Sequence, residues 1–125
     1  MEKKRILICD DDPDTLNVLQ MALPQIAQVE VIPIQSGRVL LDYLSSNPVM
    51  PDLLIIDLVL LDMEGDDIIQ DLRRDQQLKN LSIILMSGVV VNVEDRARAV
   101  GADTFLKKPF SFPELESKVL SLLQL

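Results

Sequence analysis

The stretch from residue 52 to residue 57, Asp-Leu-Leu-Ile-Ile-Asp, constrains the fold more than any other part of the chain. Four large aliphatic residues in a row, preceded by Pro51 and bounded by carboxylates, are typical of a short strand that is buried on both faces. A strand of this kind belongs to a parallel sheet covered by helices. Asp57 would then lie at the carboxyl end of the strand, and that edge of an open α/β sheet is where ligands bind.

The rest of the chain alternates between short apolar runs and amphipathic segments. The pattern predicts strands over residues 5–9, 29–34, 52–57, 81–86 and 104–106, and helices over 15–23, 37–46, 66–75, 93–100 and 113 to the C-terminus. Pro33 favours an edge position for the second strand, and Pro24 is expected to end the first helix. Val18 and Val39 are expected on the inward faces of their helices. Five strand–helix units in this order predict an α/β fold with a parallel sheet and helices on both faces, in one domain over residues 1–125.

Composition excludes several classes of function. The 125-residue chain carries a net charge of -8, which disfavours nucleic-acid binding. It has no histidine and a single cysteine, Cys9, so that an imidazole base and a histidine-ligated metal site are both excluded. No apolar run approaches the roughly 20 residues that span a bilayer, and no export signal opens the chain. We therefore expect a soluble, cytoplasmic protein without membrane contact.

Polar residues follow four of the predicted strands, and in a parallel sheet they would meet at one edge. These residues are Asp10, Asp11, Asp57, Ser87 and Lys108. Three clustered carboxylates repel one another unless a cation, a proton or a lysine offsets their charge. Mg²⁺ suits such a pocket because it prefers oxygen ligands and commonly works through one or two carboxylates together with a phosphate.

This constellation is suited to phosphoryl chemistry. Beside a divalent cation, Asp57 can act as a carboxylate nucleophile toward phosphorus and form an aspartyl phosphate. The Ser87 hydroxyl and the Lys108 ammonium could then hold the phosphoryl oxygens by electrostatic attraction.

Four motifs in order resemble the receiver domain of two-component response regulators, over essentially the whole chain. The motifs are ILICDDDP at residues 6–13, PDLLIID at 51–57, IILMSG at 83–88 and GADTFLKKPF at 101–110. The resemblance implies a flavodoxin-like (βα)5 fold with strand order 2-1-3-4-5, of the stand-alone single-domain type. It also implies that the chain is a signalling domain rather than an enzyme that turns over a substrate.

The resemblance further assigns roles to individual residues. Asp57 would be the phosphoacceptor, and Asp10 and Asp11 would bind Mg²⁺ together with Asp57 and the backbone carbonyl of Val59. Ser87 and Lys108 would contact the phosphoryl group, with Ser87 also part of the switch. Phe105 would fill the rotating aromatic position of the switch, although a half-buried strand aromatic explains it equally well.

Partners follow from the same resemblance. A sensor histidine kinase or a histidine phosphotransfer protein would donate the phosphoryl group. The altered surface near the fourth helix, the fifth strand and the fifth helix would change the affinity for a downstream protein partner, with the chain a monomer or a transient homodimer. Because no effector domain is recognisable, the output is made by binding, or the chain is one piece of a larger protein.

Two other functions remain open on the sequence. One is a small Mg²⁺-dependent phosphatase resembling the haloacid dehalogenase type, with Asp10 as nucleophile and Asp12 as acid. Against it, Pro13 and Asp14 stand where that family has Gly-Thr. The other is a receiver-like interaction module that is never phosphorylated. Asp12 itself is more simply explained as the start of a helix.

The resemblance also predicts how long the phosphoryl group persists. Val59 and Val89 occupy the two positions that tune hydrolysis in receivers, two residues after Asp57 and two after Ser87. Because two valines would exclude the attacking water or fail to orient it, we predict a long-lived phosphoryl state. The decay of the phosphorylated protein, followed by intact mass, would contradict this prediction if it were complete within seconds.

Overall fold

The fold is known from a computed structural model that describes residues 3–47, 49–88 and 92–124. The strands are β1 (Lys4–Cys9), β2 (Val29–Ile34), β3 (Leu53–Asp57), β4 (Ser82–Ser87) and β5 (Thr104–Lys107). The helices are α1 (Pro13–Ile26), α2 (Gly37–Ser46), α3 (Gly65–Arg74), α4 (Val93–Val100) and α5 (Phe112–Leu123). The predicted strands and helices are therefore all present, with boundaries that shift by a few residues.

The five strands form one parallel sheet in the order β2-β1-β3-β4-β5, which confirms the flavodoxin-like fold. Pro33 lies in β2, an edge strand, where a residue without an N–H group is tolerated. Every residue of β3 is buried, as expected for the strand at the centre of a doubly wound sheet. The carboxyl ends of β1, β3, β4 and β5 consequently share one edge.

Helices cover both faces of the sheet. Buried leucines of α1 and α5 pack with Ile6, Ile8 and Ile55 on one face. On the other face, α2, α3 and α4 pack against Leu7 and Ile56. None of the helices in the described ranges is long and apolar enough to cross a membrane.

Three local expectations are wrong. Helix α1 does not end at Pro24 but continues to Ile26. Pro24 lies on the exposed side of the last turn, where the carbonyl that loses its partner can bond to water, and the buried Leu23 holds that turn on the sheet. Val18 and Val39 are 54% and 52% exposed, because each lies at the margin of its apolar stripe and the leucines fill the core.

The Arg73 side chain joins the carboxyl ends of α3 and α4 to the segment that precedes β4. The Arg73 guanidinium donates hydrogen bonds to the carbonyls of Gly101 at 2.8 Å, Lys79 at 3.1 Å and Leu81 at 2.6 Å. It also donates to the Asp103 carboxylate at 3.1 Å. Gly101 ends α4 in the left-handed conformation at φ 92°, which favours glycine. Arg73 therefore fixes the carboxyl end of α4 against α3.

We predict that Arg73→Ala lowers the free energy of unfolding by about 2–3 kcal/mol, because several charge-assisted hydrogen bonds are lost at once. Arg74→Ala is the matched control, since Arg74 is 76% exposed and its ion pair with Asp71 is 3.5 Å long. That change should cost less than about 0.5 kcal/mol. Urea denaturation measures both, and equal stabilities would contradict the role of Arg73.

Candidate functional site

The three aspartates after β1 have different environments. Asp10 is fully buried, its N–H continues the β1 ladder to the Ile34 carbonyl at 3.1 Å, and its Oδ1 accepts the Asp12 N–H at 2.9 Å. The Asp12 carboxylate instead caps α1, where it accepts hydrogen bonds from the Asp14 N–H at 3.0 Å and from the Thr15 hydroxyl at 3.1 Å. The expectation that Asp12 simply begins a helix is confirmed.

Asp57 ends β3 and is only 8% exposed. The next residue, Leu58, donates its N–H to the Met86 carbonyl at 2.8 Å, so the β3–β4 ladder runs to the edge of the sheet. The Oδ1 of Asp57 accepts the Val59 N–H at 3.2 Å. Carboxylate oxygens of Asp10, Asp11 and Asp57 all lie within 4.8 Å of one another. The predicted acidic cluster is thus assembled at the predicted place.

Lys108 enters this cluster from β5. Its N–H donates to the Ser87 carbonyl at 2.8 Å, which extends the β4–β5 ladder by one residue. Its Nζ donates to Asp10 Oδ2 at 2.6 Å and to Asp57 Oδ2 at 2.8 Å. One ammonium therefore bridges two of the three carboxylates.

Burial acts on both partners of this ion pair. Burial alone would lower the pKa of Lys108, but the hydrogen bonds and charges of Asp10 and Asp57 outweigh it and raise the pKa above its ordinary value. Burial raises the pKa of Asp57 despite the opposing Lys108 hydrogen bond. The ammonium is therefore present at neutral pH, and its positive charge opposes the effect of burial on the pKa of Asp57.

Gly65 sets the shape of the loop that follows Asp57. A Cβ atom at residue 65 would lie 2.4 Å from the Asp57 carbonyl oxygen, so only glycine fits. The Gly65 N–H donates to the Leu58 carbonyl at 2.7 Å, and Val59 and Glu64 form an antiparallel bridge. Gly65 is a residue of the site that the sequence pattern did not single out. The signal that could have found it is a glycine that opens a helix directly after a site loop.

The remaining predicted residues lie around the cluster. Ser87 is fully buried at the end of β4, next to Met86, which pairs with Asp57. Val59, two residues after Asp57, is 53% exposed, and its N–H rather than its side chain contacts the Asp57 carboxylate. Phe105 is half-buried on β5, with Lys118 Nζ 4.0 Å from its ring centre. Val89, the other valine proposed to affect hydrolysis, lies outside the described residues together with positions 90 and 91.

Comparison with known proteins gives the family. Residues 6–120 match the response regulator receiver domain, and the chain belongs to that family. The fold agrees closely with the crystal structure of a putative response regulator from Chloroflexus aurantiacus. The TM-score is 0.90 at 27% identity, with 99% of this chain and 100% of that chain covered.

Two curated relatives place the match in larger proteins. The chain is 31% identical over 121 residues to a probable cyclic di-GMP phosphodiesterase of Vibrio cholerae, covering 95% of this chain and 26% of that protein. It is 33% identical over 127 residues to the DNA-binding dual master transcriptional regulator RpaA of Synechocystis sp., covering 96% and 49%. The chain therefore spans about a quarter and about half of these relatives, and the activities in their names are those of the longer proteins.

The relatives as a group are response regulators and sensor kinases. They support phosphorylation-controlled receiver signalling for this chain, and they do not support the haloacid dehalogenase type of phosphatase.

We predict that Lys108→Met, measured with EDTA present, lowers the free energy of unfolding by about 2–4 kcal/mol, because the buried ion pairs with Asp10 and Asp57 lose their cation. Lys107→Met removes the same charge from the preceding, exposed position and should have little effect. Thermal or urea unfolding of the two variants is the measurement. If both variants were as stable as the wild type, the ion pair would not be holding the site together.

Proposed function

We propose that Asp57 accepts a phosphoryl group from the phosphohistidine of a histidine kinase or a histidine phosphotransfer protein, with Mg²⁺ bound beside it. The observation that carries this proposal is the Lys108 ammonium, which lies within 2.8 Å of both Asp10 and Asp57 at the carboxyl edge of the sheet. It offsets part of the repulsion among the carboxylates and supplies a donor at the point where phosphoryl charge would arrive.

The transfer would exchange one bond to phosphorus for another. A carboxylate oxygen of Asp57 attacks the phosphorus atom, and an O–P bond forms as the P–N bond to the donor imidazole breaks. The electron pair of that bond leaves with the imidazole nitrogen. Lys108 would then donate to an oxygen of the transferred group, and Ser87, which is buried at the end of the neighbouring strand, would contact the same group.

The donor set fits a hard divalent cation. Three carboxylates with oxygens within 4.8 Å of one another offer the oxygen ligands that Mg²⁺ prefers. Asp10, Asp11 and Asp57 would hold the ion, together with the backbone carbonyl of Val59. When bound, Mg²⁺ would neutralise negative charge on the carboxylates and on the incoming phosphoryl oxygens.

The output would be a change in binding rather than turnover of a substrate. Phosphorylation places new negative charge at Asp57, next to β4 and close to the face formed by α4, β5 and α5. Phe105 lies on that face and is the proposed aromatic switch residue, with Ser87 linking it to the phosphoryl group. The downstream partner is then a protein that prefers one of the two states of this face, with the chain itself a monomer or a transient homodimer.

Intact mass after incubation with Mg²⁺ and acetyl phosphate tests the assignment. We predict that the wild type gains one phosphoryl group, that Asp57→Asn gains none, and that Asp12→Asn is labelled like the wild type. Asp12→Asn is the matched control because it changes a carboxylate of the same acidic run and keeps a side chain that can cap α1.

Other outcomes of this experiment point to other functions. A labelled Asp57→Asn variant would move the nucleophile to another residue, such as Asp10. An unlabelled wild type that also fails to bind Mg²⁺ would indicate an interaction module that is never phosphorylated.

A further inference from the structure

The loop between β3 and α3 carries an aspartate with a contact that the proposed chemistry does not use. Asp62 Oδ1 accepts the Gly37 N–H at 2.9 Å, and Oδ2 accepts the Arg38 N–H at 2.9 Å. These two donors hold the pKa of Asp62 below its ordinary value, the Arg38 amide more strongly. One carboxylate thus joins the loop after the phosphoacceptor to the start of α2, about 25 residues away in the chain.

The first turn of helix α2 receives hydrogen-bond acceptors from the Asp62 carboxylate, which lies outside the helix. The first N–H groups of a helix have no partner within the helix, and negative charge there is favourable. Ser36 caps α2 by accepting the Val39 N–H at 3.1 Å, which leaves the amides of Gly37 and Arg38. The first turn of α2 contains no acidic residue, whereas the first turn of each other helix contains at least one. Asp62 supplies both the missing acceptors and the missing charge.

The same contact anchors the tip of the loop. The base of the loop is held by backbone bonds, from Leu58 N–H to Met86 and from Gly65 N–H to Leu58. Closer to the tip, the Leu60 N–H donates to the Met63 carbonyl at 3.2 Å. At the tip itself, Asp62 is fixed to α2, while its neighbour Leu61 is 91% exposed. The loop is therefore fixed at both ends, and its tip depends on the Asp62 carboxylate.

The start of α2 packs closely against the loop and against α3 at Gly37. A Cβ atom at residue 37 would lie 2.8 Å from Met63 Sδ and 2.9 Å from Ile68 Cδ1, so Gly37 allows the start of α2 to approach the loop closely. The close approach is what brings the Gly37 and Arg38 amides within reach of Asp62.

We propose that Asp62 is a positioning residue for the divalent cation site: by fixing the loop to α2, it holds in place the backbone of Val59, whose N–H already contacts Asp57 and whose carbonyl is the proposed fourth ligand. This inference rests on the proposed function, since it assumes that Val59 is a ligand. Asp62 is five residues from Asp57 and acts through the loop backbone, not by touching the ion.

Titration of ¹⁵N-labelled protein with Mg²⁺, followed by NMR, tests the proposal. We expect Asp62→Ala to weaken Mg²⁺ binding about tenfold, the lower end of the range for residues that orient metal ligands. Asp62→Asn keeps one acceptor oxygen and should fall between the alanine variant and the wild type. Asp67→Asn is the matched control, because Asp67 is exposed on α3 and its loss removes the same charge. It should change the affinity by less than about twofold.

Hydrogen exchange of the Gly37 and Arg38 amides in metal-free protein gives a second readout. Both amides should lose protection in Asp62→Ala and keep part of it in Asp62→Asn. If protection were lost while the Mg²⁺ affinity stayed at the wild-type value, Asp62 would be only a helix cap and the inference would be wrong. If the wild type bound no Mg²⁺, the proposed function would fail instead, and the exchange data would still describe the loop contact. Should Asp62→Ala not fold, the asparagine variant decides by the same two measurements.

Discussion

The site depends on one ammonium group held between two buried carboxylates. Lys108 follows β5, yet its Nζ reaches Asp57 at the end of β3 and Asp10 just after β1, across the end of β4. Only a long side chain can span that distance. Because Asp10 is fully buried, its charge would be unfavourable without this partner. The proposed phosphoryl transfer therefore requires the parallel sheet, since the sheet brings three separate strand ends to one edge.

The conformation of the loop after Asp57 depends on a different set of contacts. Its backbone is closed by a bridge between Val59 and Glu64 and by the close approach of Gly65 to the Asp57 carbonyl. Its tip is tied to α2 through Asp62, so a helix on one face of the sheet contributes to the geometry of the edge. At the opposite edge of the sheet, Arg73 likewise joins two elements, because it binds the carboxyl end of α4 to α3. Side chains from elsewhere in the chain thus complete the hydrogen bonding of helix ends that local sequence leaves unfinished.

Much of the fold could be predicted because its signals are local. A strand buried on both faces is apolar along most of its length, and residues 53–56 of β3 are all leucine or isoleucine. Pro33 marked β2 as an edge strand, and the helix predicted over residues 37–46 is present as α2. The errors arose where local rules compete with packing. A proline ends a helix unless tertiary packing stabilises the turn that contains it. Here the buried Leu23 packs that turn of α1 against the sheet, so that the helix continues past Pro24. Val18 and Val39 fit the helical period, but the neighbouring leucines already fill the core.

The sequence by itself determined the order of strands and helices, the residue types at each strand end, and hence the candidate set of Asp10, Asp11, Asp57, Ser87 and Lys108. Periodicity and capping preferences carry this information within a few residues of each position. Only the tertiary structure decided that Asp62 binds the first amides of α2 and that Arg73 binds the carboxyl end of α4. These choices depend on how loops approach helices distant in the chain, and no local pattern encodes that approach.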